Sequence, residues 1–506
     1  MLPLSAIPVL ALLSACGPVP VDLPDGVSPD TSDAAADLVA LLEGELDGVE
    51  VSEGEVVPLD GSGCGNDECP GGANLSSPYG MWTFPDDPPP TDGALTFQLG
   101  LDEALVYVGE TPPPARYFSY TLYLYERTLP SGEIVTGRGS IAPSLNHRVV
   151  RLAGEPASPF SQLVIVVVAA SPDVANRTLA VMRPTLERHG VLGAVNLLAI
   201  PWRSVQAAEA LRADPDRDPD SIVDFQPGHG PSADHYMVAW RTADPVDPAH
   251  PFFDPEHPTG EVFRLHFDDP DPATAFRYPD LPPDDTSEVA EGPEVGAARD
   301  AVVTELLRAQ AQNGLDGIVL GTTNGPRKSG FLCANGLEGC FLNSDDARYL
   351  RDGRPVRMRT TRSALFLVGV LHDEVQTVIS GAADVSYSNV SVVDRDAGAE
   401  TIASSMDREL AGSARAWLPA GVEGVSDALL DTLFVLKVAR HCKESDPVCV
   451  EVPLTDVGPE TRIGWTERVY LNEATHTAPP PSAVWPLLGV GVGPDLEEKA
   501  DVVDLD

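Results

Sequence analysis

Histidine and carboxylate side chains that could bind a metal ion are concentrated in one short part of the sequence. Five of the ten histidines lie between residues 226 and 267, with several Asp and Glu residues among them. A catalytic zinc ion takes three protein ligands and leaves one position open. The candidate ligands are His229, His235, Asp254 and His257. None of the five histidines has helical i, i+4 spacing to another, so a solvated loop is the alternative.

Alternating aspartates just before these histidines form a second candidate metal site. Asp216, Asp218 and Asp220 alternate as the oxygen ligands of a calcium loop do. Such a loop also needs Gly at its sixth position and Glu at its twelfth, and this segment has neither. The alternatives are an imperfect calcium site and a solvated, proline-rich loop.

The segment 327–362 reverses the acidic character of the rest of the sequence. It holds eight Arg and Lys residues against four Asp and Glu residues. Guanidinium groups suit bidentate binding of carboxylate or phosphate. We select Arg351, Arg354, Arg357 and Arg359 as a candidate anion-binding set. The alternative is that these arginines pair with carboxylates of the same protein.

Familiar catalytic signatures are absent from the sequence. It has no Gly-x-Ser-x-Gly, His-Glu-x-x-His, Walker or Cys-x-x-Cys motif. The preferred hypothesis is therefore a protein that binds a ligand or partner without catalysis. The alternative hypothesis is a metal-dependent hydrolase that uses the histidine-rich site and an arginine-lined anion pocket.

Six of the seven cysteines form three close pairs in the sequence. Six cysteines allow fifteen connectivities, but their local clustering favours three sequential disulfides, which are common outside the cytosol and rare inside it. A zinc site is the rival interpretation, although no pair has the two-residue spacing of a zinc knuckle. The predicted disulfides are Cys64–Cys69, Cys333–Cys340 and Cys442–Cys449.

The N-terminus contains a short apolar run that ends at Leu13-Ser14-Ala15-Cys16. The run is too short to cross a bilayer as a permanent helix, but it fits the apolar region of a secretory signal. Residues 1–16 resemble the signal peptide and lipobox of bacterial lipoproteins. The resemblance implies removal of residues 1–15, acylation of Cys16 and a stable membrane anchor. Because Gly17 rather than Asp follows Cys16, the resemblance also implies an outer-membrane address in the cell envelope.

The net charge of −44 excludes one class of partner. No Lys or Arg precedes Arg116, whereas twenty Asp and Glu residues do. The negative electrostatic potential of such a protein repels phosphate backbones, so we expect no nucleic-acid binding. No apolar run after the N-terminal one reaches the roughly 18 residues of a membrane span.

The predicted fold is a mixed α/β to α+β body in which sheets predominate, arranged as two packed halves. A continuous apolar strand, a helix starting at Pro172 and a second apolar strand form a βαβ unit over about residues 160–201. Further strands are predicted near 95–125, 235–242, 261–267, 364–371, 385–393, 433–439 and 448–452. A helix is predicted over about 295–313.

The predicted domains follow shifts in composition. Residues 1–15 are the signal peptide, and 16–93 are an acidic, Pro- and Gly-rich tether with a short helix and a disulfide-closed loop. Residues 94–285 form an α/β domain with the βαβ unit, and 286–490 form a second, α+β domain. Residues 491–506 form an acidic, disordered tail. We detect no internal repeat in the sequence.

Overall fold

A computed structural model shows two compact units, each rich in β-sheet. The fold class predicted from the sequence, a mixed α/β fold dominated by sheets, is confirmed. None of the helices in the described segments combines the length and apolar character that crossing a bilayer needs. The residues that the structure describes are 31–59, 77–91, 93–136, 139–154, 156–201, 223–254, 259–271, 276, 292–324, 344, 346–378, 385–397, 400–473, 475–479 and 484–493.

The first unit takes its described residues from 31–59, 78–276 and 344. Its helices are α1 (Thr31–Glu43) and α2 (Pro172–Arg188), with 3₁₀ turns at Leu192–Ala194 and Pro251–Phe253. Its strands are β1 (Val49–Glu53), β2 (Glu55–Leu59), β3 (Tyr79–Thr83), β4 (Glu103–Glu110), β5 (Ala115–Thr128), β6 (Ile134–Val135), β7 (Gly139–Ser140), β8 (Leu145–Asn146), β9 (Leu163–Ala169), β10 (Val195–Ala199), β11 (His235–Pro245) and β12 (Gly260–Phe267).

These strands form two sheets, and helices cover the outer face of one of them. The first sheet has the order β1-β12-β4-β9-β10, and the second has the order β2-β3-β11-β5-β6, with β7 and β8 also paired to β5. Val164, Val166 and Val168 of β9 join the core shared with the second sheet. Ile165 and Val167 join the core beneath α1 and α2. The apolar run of β9 is continuous because both faces of the strand are covered.

The predicted βαβ unit is present. Strands β9 and β10 are parallel and adjacent, and α2 connects them. Pro172 occupies the first turn of α2, where its missing N–H and fixed φ are tolerated. Beyond the C-cap, Gly190 has a φ of +67°, which a residue without a side chain adopts easily.

The interpretation of residues 16–93 as a tether is wrong for the part that the structure describes. Helix α1, where the sequence predicts a short helix, buries Ala34, Leu38 and Leu42 against the first sheet. Strand β1 joins the first sheet, and β2 and β3 join the second. The Pro, Gly and Asp residues that suggested an extended segment lie beside short strands whose long-range partners the sequence does not reveal. Residues 1–30 and the loop containing Cys64 and Cys69 lie outside the described residues.

The second unit is built from Ser77 and from the described residues between 292 and 493, except Ser344. Its helices are α3 (Pro293–Gln312), α4 (Asp407–Leu410), α5 (Ser413–Trp417) and α6 (Asp427–Asp431), with a 3₁₀ turn at Val375–Thr377. Its strands are β13 (Gly317–Leu320), β14 (Thr322–Asn324), β15 (Ala347–Asp352), β16 (Val356–Arg357), β17 (Ala364–Val370), β18 (Val385–Asp394), β19 (Glu400–Met406), β20 (Leu433–Ala439), β21 (Cys449–Glu451), β22 (Arg462–Asn472) and β23 (Leu488–Val492). The predicted tail therefore begins inside β23, and residues 494–506 lie outside the described residues.

The second unit repeats the strand order of the first. Its sheets run β13-β23-β17-β20-β21 and β14-β15-β22-β18-β19, with β16 also paired to β22. Replacing β1 by β13, β2 by β14, β3 by β15, β4 by β17, β5 by β18, β6 by β19 and β9–β12 by β20–β23 converts the first unit's strand order into the second's. The parallel pair β9–β10 corresponds to the parallel pair β20–β21. The units are thus an internal structural repeat, although no repeat is detectable in the sequence.

The crossover between the two parallel strands is where the repeats differ most clearly. In the first unit it contains the 17-residue helix α2, whereas in the second it is the short segment between β20 and β21. A disulfide between Cys442 and Cys449 closes that segment, as the sequence predicted for this pair. In the second unit, Ala414, Leu418 and Leu430 from α5, its C-cap and α6 contribute to the core on the outer face of the sheet, together with α3. In the second unit, a disulfide therefore closes the connection that contains helix α2 in the first unit.

Candidate functional site

Four titratable side chains meet at one end of the first sheet of the first unit. We call Asp102, Glu103, His229 and His266 the Glu103 cluster. Glu103 begins β4, and its antiparallel partner in β12 is His266. The segment that carries His229 lies at the same end of the sheet, where Gly228 forms a β-bridge with Leu99. Three stretches that are far apart in the sequence therefore supply the cluster.

The backbone around His229 and Glu103 is shaped by glycines. His229 lies between Gly228 and Gly230, whose φ values are +149° and +96°, a region that side chains disfavour. At Gly100, a Cβ atom would lie 2.3 Å from Oδ1 of Asp102. Its missing side chain lets the turn before β4 close tightly, so that the Gly100 N–H donates to Glu103 Oε2 at 2.7 Å.

The central contact of the cluster joins His229 to Glu103. Nε2 of His229 donates to Oε2 of Glu103 at 2.7 Å. The carboxylate is 9% exposed and the imidazole 44% exposed, so a buried acceptor orients an accessible ring. Within the described part of the chain, nothing bonds to Nδ1 of His229. That nitrogen can exchange a proton with, or hydrogen-bond to, a molecule from solvent.

The pair shifts the pKa values of both groups. Burial acts to raise the pKa of Glu103, but the hydrogen bonds from His229 and Gly100 and the charge of Arg264 outweigh it, so the pKa lies below its usual value. The hydrogen bond to Glu103 raises the pKa of His229 above 6.5, against the opposing effect of burial. Both shifts favour the ion pair over the neutral pair.

His266 and Arg264 extend the cluster along β12. Nδ1 of His266 lies 3.6 Å from Oδ2 of Asp102 and 4.0 Å from Oε1 of Glu103. Arg264 makes a fork with Asp87, at 2.8 Å from Nη1 to Oδ1 and 2.5 Å from Nη2 to Oδ2. Its guanidinium also stacks 4.2 Å from the ring centroid of Phe84. Arg264 is therefore held firmly beside the acidic residues.

The repeat indicates that this cluster is not needed to complete the sheet. Ala104 pairs with Ala169 and Leu265 in the first unit, and Ala364 pairs with Ala439 and Val492 in the second. The preceding backbone turns also match, because the Glu103 N–H donates to the Gly100 carbonyl and the Ser363 N–H to the Thr360 carbonyl. Ser363 thus corresponds to Glu103, Gly493 to His266 and Gly491 to Arg264. The second unit builds the same sheet end without these charges.

The predicted metal ligands have separate partners. His229 contacts Glu103, whereas His235 lies 3.3 Å from Nε2 of Gln98 and 3.4 Å from Oγ1 of Thr96. Burial lowers the pKa of His235. Asp254 follows the 3₁₀ turn Pro251–Phe253, and His257 lies outside the described residues. Among the residues that the structure describes, no group of three or more His, Cys, Asp and Glu side chains could hold a metal ion.

Two other predicted sites fall wholly or largely on segments that are not described. The calcium candidates Asp216, Asp218 and Asp220 lie outside the described residues. So do the cysteines of two predicted disulfides, Cys64 and Cys69, and Cys333 and Cys340, together with the lipidation candidate Cys16. These stay predictions.

Two of the four predicted anion-binding arginines, Arg357 and Arg359, bond to the same residue, Glu460. Arg359 makes a fork with Glu460, at 3.0 Å from Nε to Oε1 and 2.9 Å from Nη2 to Oε2, and Arg357 donates to the Glu460 carbonyl. Arg354 is exposed. The pKa of Arg351 is lowered by burial and by the charge of Arg395. Arg359 is thus paired with a carboxylate of the same protein, which is the alternative stated above for these arginines.

Sequence reasoning missed Asp87, Asp102, Glu103 and Arg264 as members of a site. His229 and Glu103 are 126 residues apart, and no local pattern links them. A usable signal is the pair of glycines around His229, because a polar residue between glycines is typical of a shaped loop.

Comparisons with known proteins give no family. No family model matches the sequence, and no curated protein matches it. Among solved structures, the chain is similar to an uncharacterised protein from Burkholderia cenocepacia, with 11% identity, coverage of 92% of this chain and 91% of that chain, and a TM-score of 0.37. It is also similar to a protein from Vibrio parahaemolyticus, with 10% identity, coverage of 79% and 88%, and a TM-score of 0.33.

Proposed function

We propose that this chain is a lipid-anchored protein of the bacterial cell envelope that binds a ligand or partner without catalysing a reaction. The lipobox Leu13-Ser14-Ala15-Cys16 carries the proposal. The Cys442–Cys449 disulfide supports it, because paired thiols persist outside the cytosol and are rare inside it. Gly17 after the acylated cysteine favours the outer membrane. The anchor is the membrane contact, and the net charge of −44 argues against nucleic acid as a partner.

The anchor is tested by expressing the full chain in a double-membrane bacterium with radiolabelled palmitate. The wild-type protein should incorporate label and lose residues 1–15, and Cys16→Ala should do neither. Cys442→Ser is the matched control, because it removes a different cysteine and should leave the label in place. An intact Met1 terminus with an unmodified Cys16 thiol, seen by mass spectrometry, contradicts the proposal.

Within the body, we propose the Glu103 cluster as the ligand site. A buried carboxylate orients the half-exposed imidazole of His229, and the second unit has Ser363 in place of Glu103 and Gly493 in place of His266. The carboxylates of Asp102 and Glu103 and the net charge of −44 disfavour an anionic ligand. The ligand class that fits is a small neutral molecule with hydroxyl or amide groups, which can hydrogen-bond to Nδ1 of His229.

Thermal-shift measurements with neutral polyols, primary amides and carboxylates test this site. A polyol or amide should raise the melting temperature of the wild type and not of His229→Gln. His441→Gln, which changes an exposed histidine in the second unit, should respond as the wild type does. A preference for carboxylates, or an equal response of His229→Gln, contradicts the assignment.

The metal-dependent hydrolase remains the alternative prediction. It requires His257 and a rearrangement that brings His229 and His235 to one ion, whereas they have different partners in the structure. Elemental analysis of the purified chain tests it, because stoichiometric zinc that His235→Ala removes would favour the hydrolase.

A further inference from the structure

A groove lies between the end of α1 and strand β1 in the first unit. It is open to solvent and has a volume of about 450 Å³. The partly buried side chains of Leu46, Val49 and Val51 supply its apolar surface, above the fully buried Leu42. The tight turn between Leu46 and Val49, with Gly48 at a φ of +71°, turns the chain from the helix into β1. Helix and strand therefore form the two walls of an open groove, in which a narrow apolar strip lies between more extensive polar surface.

The rim of the groove is acidic. Glu43, Glu45 and Glu53 line it, and no Lys, Arg or His side chain among the described residues does. Helix α1 also ends here, and its C-terminal end carries a partial negative charge. The last turn of α1 contains no basic residue to compensate that charge. On neighbouring β12, Glu261 has a pKa raised by burial and then by Glu43 and Glu53, as expected where carboxylates crowd together.

Strand β1 is also at the edge of its sheet. Among the described strands, it pairs with β12 on one side and with none on the other. A strand in this position presents backbone N–H and C=O groups that an added strand can pair with. Extended peptides commonly bind in this way, with main-chain hydrogen bonds to the edge and alternate side chains in pockets.

We propose that this groove is a docking site for an extended, basic segment of a partner protein, in which Lys or Arg residues alternate with apolar residues. The apolar side chains of the segment lie on Val49, Val51 and Leu46, and its cations face the glutamates of the rim. Charge complementarity selects this occupant. A second copy of the chain is disfavoured, because pairing two β1 strands would bring Glu50 and Glu53 of both copies together. The inference depends neither on the acyl anchor nor on the Glu103 cluster.

The test uses the full chain in detergent and an acetylated, amidated heptapeptide of alternating Lys and Val as the probe. Isothermal titration calorimetry should show binding that weakens as salt is raised, and a Glu/Val heptapeptide should not bind. Glu43→Gln/Glu45→Gln/Glu53→Gln should weaken binding about tenfold. Glu133→Gln/Glu423→Gln/Glu444→Gln is the matched control, because it removes the same charge at exposed positions elsewhere.

Hydrogen exchange measured by mass spectrometry locates the bound peptide. Peptide binding should protect backbone amides in residues 46–54 and leave β10, at the opposite edge of the sheet, unchanged. Equal weakening in both triple variants would show attraction to net charge alone and overturn the proposal. Absence of protection in residues 46–54, or protection on adding the Glu/Val peptide, would overturn it as well.

Discussion

Nε2 of His229 lies 2.7 Å from Oε2 of Glu103, so a half-exposed imidazole is held by a buried carboxylate from a different strand segment. The equivalent of Glu103 in the second unit is Ser363, which follows the same backbone turn. One copy of a repeated fold therefore has a buried carboxylate where the other copy has a hydroxyl. We infer that Glu103 has a role other than completing the sheet.

The first prediction concerns the pH dependence of the pair. In an NMR titration, His229 should titrate above 6.5 because Glu103 stabilises its cation, and His235 should titrate below 6.5 because burial opposes its charge. The stabilisation from His229 is fully present below pH 6.5 and is lost as the pH rises through its raised pKa. That from Glu103 is present above pH 4.5 and is lost as the pH falls through its lowered pKa. Titration of His229 below His235 would contradict the arrangement.

The second prediction is that Glu103→Gln releases His229. The amide cannot stabilise the imidazolium as the carboxylate does, so the pKa of His229 should fall towards 6.5. Loss of the charged hydrogen bonds should reduce the free energy of unfolding of the first unit by about 1–3 kcal/mol. Urea unfolding and the same NMR titration measure the two effects. Glu133→Gln, at an exposed site, should change neither, and an unaltered His229 titration in Glu103→Gln would refute the pairing.

The sequence predicted the parts of the fold that depend on local pattern. The apolar run around Val164–Val168 and the Ser171-Pro172 start identify β9 and α2 without any knowledge of partners. Strands β1, β2 and β3 were missed because their segment is rich in Asp, Gly and Pro and the strands are short. Strand β1 pairs with β12 and β3 pairs with β11, each more than 150 residues away, whereas β2 pairs with β3. The internal repeat was missed because strand order is conserved while side chains are not.

The candidate site was predicted only in part, for a related reason. Its histidine-rich segment was recognisable, but the partner of His229 was not, since β-sheet register brings Glu103 to it across 126 residues. The arginine set was selected by local charge, and the fork between Arg359 and Glu460 spans 101 residues. Composition can therefore nominate a titratable side chain, whereas only the fold identifies its partner.

The third prediction concerns the buried ion pair between Arg127 and Asp234. Both side chains are fully buried, and the guanidinium makes a fork with the carboxylate at 2.9 and 2.6 Å. Asp234→Asn leaves a buried cation without its counter-charge, so the first unit should lose about 3–5 kcal/mol of stability. Arg127→Met/Asp234→Leu removes both charges and should be destabilised less than Asp234→Asn.

Urea unfolding and hydrogen exchange in β5 and β11 measure the effect, because Arg127 lies on β5 and Asp234 immediately precedes β11. Exchange in β17 and β20 of the second unit serves as the internal control. If the double variant proves less stable than Asp234→Asn, the loss comes from packing and not from the unpaired charge.

The fourth prediction concerns the disulfide that replaces the crossover helix in the second unit. Cys442 and Cys449 close a loop with a sequence separation of seven, and the link restricts the unfolded chain. In the chain-entropy model, Cys442→Ser/Cys449→Ser should lower the free energy of unfolding by about 2.5 kcal/mol. Hydrogen exchange in β20 and β21 should accelerate, whereas exchange in β9 and β10 should stay as in the wild type, because α2 connects that pair without a disulfide. Treatment of the wild type with a reductant should reproduce the change in β20 and β21. If neither the double variant nor reduction alters exchange there, the short crossover is stable without its covalent link, and packing of α5 and α6 on β20 suffices to hold this edge of the sheet.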